Sequence, residues 1–136
     1  MTHGTGSFDV AMKPLAPEDT AEGIALGRYS LDKQYHGDLE AASTGAMLSA
    51  GTESTGAGAY VAIERVTGTL QGRRGSFAFL HQGTMTREGQ HLSVVVATDS
   101  GTGQLVGLAG TMGITITGGK HFYTLDYTLG SDAKIG

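Results

Sequence analysis

Apolar and polar residues alternate with a period of two along most of this chain, the pattern of strands buried on one side. In residues 5–13, Phe8, Val10 and Met12 share a face; in residues 28–36, Tyr29, Leu31, Lys33 and Tyr35 do. Between them, residues 14–27 (PLAPEDTAEGIALG) hold both prolines and break the alternation. Pro17-Glu18-Asp19 can open a short helical turn, but Gly23 and Gly27 limit it, so the stretch reads as a loop with room for a short helix. Gly37-Asp38 has the form of a two-residue hairpin turn with Gly first. The return strand is then 39–49, and pairing 36 with 39 sets Lys33 opposite Ala42 and Tyr35 opposite Glu40. Lys33 and Glu40 become diagonal neighbours, within reach of one another.

Residues 58–85 carry the strongest alternation. A turn at Gly72-Arg73 pairs 71 with 74 and predicts Glu64 opposite His81, on a face shared with Tyr60, Ala62, Val66, Phe77 and Phe79. Val61, Ile63 and Leu80 take the other face. A turn at Glu88-Gly89 adds Leu92, Val94 and Val96 to the first face, which is therefore taken as inward. Residues 99–104 read as a loop. The next strand is expected from Leu105, with Gly107 or Gly110 marking a bulge where the inward set shifts to Leu108, Met112, Ile114 and Ile116. Gly118-Gly119 is the last turn, pairing Ile114 with Tyr123, Met112 with Leu125 and Gly110 with Tyr127. A ring over a bare strand glycine is a known covering device. Residues 130–136 read as a frayed end.

The sum is an all-β chain with little or no helix: eight evenly spaced strands joined by short turns. That spacing predicts a single eight-stranded antiparallel up-and-down barrel, with a sandwich as the alternative. At 136 residues the chain is one domain, 1–136, with a core of about 5–130. A barrel of eight strands is filled by its own side chains or holds one small ligand.

Composition narrows the function classes. There are 23 glycines and 2 prolines, interleaved with apolar residues as suits tight turns and strands. The absence of cysteine excludes disulfides and thiolate metal sites. A net charge of −4 argues against a nucleic-acid partner. The first ten residues, MTHGTGSFDV, contain no apolar leader and no run approaches a membrane span, so a cytoplasmic location is expected.

Glu64 and His81 form the leading candidate for chemistry, since a carboxylate beside an imidazole fixes its tautomer and suits acid/base work. The plainer reading is a satisfied polar pair that holds register. Lys33 and Glu40 form a second inward charged pair; the alternatives are the opposite parity, with both on the outside, or a rim salt bridge. Tyr35, Tyr60, Phe77, Phe79, Tyr123 and Tyr127 are candidate ligand-contacting rings, with core filling as the alternative. The five histidines show no H-x-H or H-E-x-x-H spacing, so no metal site is expected. GTGQLVG (101–107) precedes a strand and is rejected as a dinucleotide site; no cofactor is expected.

Residues 33–51, KQYHGDLEAASTGAMLSAG, resemble the K-x-aromatic-x-G-D-L-x-x-x-S-x-G-x-M-L pattern of a bacterial family of unknown function. Residues 60–85 and 101–127 are similar to its other blocks, so the resemblance covers nearly the whole chain. It implies an allene-oxide-cyclase-like barrel of eight strands. Allene oxide cyclases are cofactor-free, have a largely apolar cavity with a few polar groups, and belong to a fold group that often oligomerises. No functional residue carries over one by one. Three readings stay open: a barrel binding a small, mostly apolar ligand; a cofactor-free isomerase, cyclase or lyase using Glu64 and His81; and a homo-oligomeric module assembling through outward Val61, Ile63, Leu80 and Val95.

Overall fold

Each strand pairs with its neighbours in sequence, and the first pairs with the last to close the ring. The computed structural model describes residues 1–130. The strands are β1 (Thr2–Pro14), β2 (Ile24–Gly37), β3 (Leu39–Thr52), β4 (Gly58–Leu70), β5 (Arg73–Thr86), β6 (Gly89–Val96), β7 (Leu108–Thr117) and β8 (Lys120–Leu129). This is the predicted antiparallel up-and-down barrel. Closure leaves no free sheet edge, which is why polar Thr2 and His3 can sit in a strand: their backbones pair with Tyr127 and Asp126. The frayed end expected at 130–136 falls mostly outside the described residues; Gly130 itself donates to the Gly107 carbonyl.

Alternation makes one face of each strand the core. Tyr35, Leu39, Val66, Leu70, Phe79 and Leu125 are all at most 1% exposed. Each such side chain contributes about 1.5–3 kcal/mol on leaving water. Outward Val61, Ile63 and Leu80, with Leu48, stay exposed in an apolar strip. Among the described residues no helix is long and apolar enough to cross a membrane.

Only one of the four hairpins has the predicted register. At Gly118-Gly119, Ile114 meets Tyr123 and Gly110 meets Tyr127 as expected. The ring-over-glycine contact is found elsewhere, however. A Cβ on Gly83 would stand 2.5 Å from the Tyr60 ring, and one on Gly6 would stand 2.5 Å from the Tyr123 hydroxyl. At Gly110 the nearest atoms are the Asp126 carbonyl and the Cα and Cβ of Tyr127.

The β4–β5 turn falls at Gln71-Gly72, one residue earlier than predicted, with Leu70 paired to Arg73. Both turn residues have positive φ, 46° and 85°, the backbone of the commonest hairpin turn. Gln71 is held there by tertiary contacts: its N–H donates to the Asp38 carbonyl and its Oε1 accepts from the Tyr127 hydroxyl. Moving such a turn by one residue shifts every partner by two and leaves the inward face unchanged. Glu64 therefore pairs with Phe79, and His81 with Ala62. The β5–β6 turn likewise moves to Arg87-Glu88, pairing Val94 with His81.

The β2–β3 hairpin changes face. Tyr35 pairs with Ala41 and Lys33 with Ser43, so the loop is wider than two residues. The Tyr123 hydroxyl is wedged into it, accepting from Leu39 N–H at 2.9 Å and donating to the His36 carbonyl at 2.9 Å. Asp38 is drawn away to β1, where its carboxylate accepts from Thr5 N–H. A one-residue slip inverts a strand: Leu39, Ala41 and Ser43 point in, and Glu40 points out.

Leu105 does not begin a strand. It lies in a 3-10 turn, Gly103–Leu105, and is 1% exposed. With Leu39, Leu70 and Leu129 it closes one end of the barrel. Gly107, at φ 83°, turns the chain into β7, whose ladder with β8 then runs without a bulge. The other short helical piece, at Ala21–Gly23, follows Asp19, which bridges to Leu26; the turn considered at Pro17 does not form. A single register pair, Val95 with Thr111, joins β6 to β7.

Candidate functional site

Glu64 sits mid-strand on the inward face of β4 and is fully buried. Its carboxylate is surrounded by donors from three other strands. Lys33 Nζ on β2 donates to Oε2 at 2.6 Å. Ser43 Oγ on β3 donates to Oε1 at 2.9 Å, and the Tyr35 hydroxyl on β2 donates to the same oxygen. His81 Nε2 on β5 lies 2.8 Å from Oε2. That approach is off the N–H axis, so the imidazole is at ion-pair distance without a directed hydrogen bond.

Burial pushes the Glu64 carboxyl up, but His81, Lys33 and Tyr35 outweigh it and hold the group down at about 2. Glu64 is thus a buried anion at neutral pH. Burial, then Glu64 beside it, pushes the Tyr35 phenol far up, so it remains a donor. Lys33 Nζ also lies 5.0 Å from the Phe8 ring centroid, a cation–π distance. Such a cluster inside an apolar barrel costs desolvation that a hydrocarbon core would avoid, and perturbed titrations of this kind gather at functional sites.

Beyond the cluster the barrel is not filled. A cavity of about 270 Å³ opens at the end opposite the leucine plug. Lys33 and His81 stand on its lining. Its walls include Phe8, Leu31, Met47, Ala62, Leu92 and Ile114; Tyr60 borders it, and His91 and His121 stand toward the mouth. The arrangement presents a pocket with mostly apolar walls and polar groups at its floor and its mouth, a common form of small-molecule site.

Residues 4–127 match the family described as "Protein of unknown function (DUF3224)". The chain belongs to the DUF3224 family. It is similar to the crystal structure of a DUF3224 protein of unknown function from Shewanella oneidensis MR-1, with 48% sequence identity and a TM-score of 0.89. The match covers 95% of this chain and 98% of that one. No curated protein matches.

Within this DUF3224 barrel, the residues expected to contact a ligand separate into four groups. Lys33, Tyr60 and His81 line the cavity. Tyr35 and Glu64 lie behind that lining, with Tyr35 bonded to the carboxylate. Phe77 and Phe79 pack edge to face at 4.9 Å in the core, outside the lining. Tyr123 and Tyr127 are also outside it: their hydroxyls bind backbone of the β2–β3 turn and Gln71, respectively. Glu40 is the clear correction. It is exposed on the outer face, where its Oε1 accepts from Gly37 N–H, because the wider turn inverts β3.

Ser43, Met47, His91 and His121 were not singled out from sequence. Ser43 depends on the inverted β3 face. His121 was accessible in principle, since it shares the inward parity of Tyr123 and Leu125 on β8.

Proposed function

We propose that this DUF3224 protein binds a small, mostly apolar molecule in the open half of its barrel. The observation that carries this reading is the cavity itself: side chains pack one half of the barrel, while the other half is an apolar-walled space ending on Lys33 and His81. Protein interiors are otherwise close-packed, so a void of this size is a feature to explain. The test is uptake of Nile red, a neutral dye, by the protein and by Ala62→Phe, which places a ring in the void. Wild type should take up dye, and the variant should lose that uptake while unfolding cooperatively. Equal uptake by both proteins sinks the reading. Native mass spectrometry of gently purified protein should show a bound small molecule.

One observation favours a second reading, a cofactor-free isomerase, cyclase or lyase. His81 borders the cavity while an ionised carboxylate backs its Nε2. His81 would exchange a proton with the ligand, and Glu64 would position it. If so, a ligand recovered from the protein should incorporate deuterium when incubated with it in heavy water. His81→Gln should abolish that exchange, and its absence in wild type removes this reading.

A further inference from the structure

The Glu64 carboxylate has little acceptor capacity to spare: three hydrogen bonds occupy its oxygens, and the His81 imidazole stands against one of them. An ionised carboxylate offers about four lone-pair sites, and Tyr35, Ser43, Lys33 and His81 crowd both of its oxygens. What remains at the cavity floor is donor capacity. Lys33 has three N–H groups, and the hydrogen bond to Glu64 uses one; the described residues give its Nζ no other acceptor. His81 approaches Glu64 through Nε2, leaving the rest of the ring along the cavity.

The same sign recurs toward the mouth. Among the described lining residues no Asp or Glu occurs, while three of the chain's five histidines do. This concentration stands out in a chain whose net charge is −4. At the floor, Lys33 and Glu64 cancel, so a neutral His81 leaves no net charge and a protonated one leaves a net positive site.

We infer that the cavity ligand is a small amphipathic acid, its apolar body against the walls and its anionic oxygens on Lys33 and His81, taken up together with a proton on histidine. This rests on the cavity-binding reading above. An anion favours the charged imidazole, and imidazoles titrate between about pH 5 and 8, so linkage requires affinity to fall as pH rises through that range. The groups around His81 set the balance. β2 contributes Lys33 and Tyr35, β4 Glu64 and Tyr60, β6 His91 and β8 His121. β1, β3 and β7 face the cavity with apolar side chains alone. Outside the rim, Asp9 and Lys120 flank His121 with opposite charges.

The experiment is calorimetric titration of the full-length protein with two matched pairs, octanoate against octanamide and phenylacetate against phenylacetamide. It is run at pH 6 and pH 8 in buffers of different ionisation heat. At pH 6 an acid should bind at least about tenfold tighter than its amide, the worth of one charge-assisted hydrogen bond. Proton uptake should accompany the acid alone, and acid affinity should fall several-fold by pH 8. Lys33→Met with Glu64→Leu, which removes the floor charge pair as a unit, should abolish the preference for acid over amide, and a preference that survives overturns the seat on Lys33. Equal binding of acid and amide overturns the anionic ligand and leaves the cavity reading standing. Tighter acid binding without proton uptake overturns the linkage. Binding of neither pair takes down this inference and, if Nile red also fails, the cavity reading with it.

Discussion

Glu64 and His81 touch without being ladder partners. Their side chains meet at 2.8 Å across a diagonal, while the backbone pairs Glu64 with Phe79 and His81 with Ala62. The diagonal places the imidazole on the cavity lining and keeps the carboxylate behind it, so His81 is reachable and Glu64 is sheltered. Charge and access are thereby divided between two neighbours.

Breaking this cluster should be more damaging than erasing it. Glu64→Gln puts an amide NH₂ where donors already point, and leaves Lys33 without its counter-ion. A loss of about 3–5 kcal/mol is expected from removing one member of a buried pair. Replacing both, Lys33→Met with Glu64→Leu, should recover much of that loss. Urea unfolding of the two variants beside the wild type measures the difference.

Acid should weaken the fold through Glu64. Its carboxyl drops from an ordinary 4.5 to about 2 on folding. Between those values the unfolded chain takes up a proton that the folded chain refuses. The stability is therefore fully present above about pH 4.5 and is lost as pH falls toward 2, about 3 kcal/mol in all. Glu64→Gln should start less stable and lose correspondingly less in that window. Denaturant midpoints for both proteins from pH 7 to pH 2.5 show whether the two curves converge.

Tyr123→Phe should cost about 1–3 kcal/mol, because it strands the Leu39 N–H that the hydroxyl satisfies at 2.9 Å. The hydroxyl lies outside the cavity lining, so dye uptake should be unchanged. Thermal or urea unfolding beside a Nile red titration separates the two effects. Impaired uptake in a well-folded variant would contradict the placement of Tyr123.

Backbone protection should be uneven around the ring. β6 and β7 share one register pair, whereas β3 and β4 pair continuously from Leu39–Leu70 to Gly51–Gly58. Amides of 91–93 and 113–115 should exchange faster than those of 41–47 by roughly two orders of magnitude or more. Residue-resolved hydrogen exchange of the native protein provides the comparison.

The strands and their inward face were legible because period-two alternation survives an error in turn position. Gln71-Gly72 in place of Gly72-Arg73 moved partners by two and kept Glu64, Phe79 and His81 inside. Gly118-Gly119 was read correctly because two adjacent glycines leave little choice of turn. The β3 face was not legible. It depends on a hydroxyl from Tyr123, distant in sequence, entering the Gly37-Asp38 turn, and no local signal near residue 40 announces it. Glu40 and Ser43 exchange sides as a result. Gln71 is similar: glutamine does not advertise a positive φ, and its contacts to Asp38 and Tyr127 appear only in the closed barrel. The cavity was foreseeable as an option of eight strands, but which half is hollow depends on Leu105 folding back as a plug.

That plug makes the barrel a cup with one opening. Whatever enters past Leu92 and Ile116 must leave by the same route. Passage through the molecule is closed, so conduction from one end to the other is not a use this shape supports. Entry and exit also share their barriers. A substitution that merely narrows the mouth should slow loading and unloading by the same factor, changing residence time without changing occupancy.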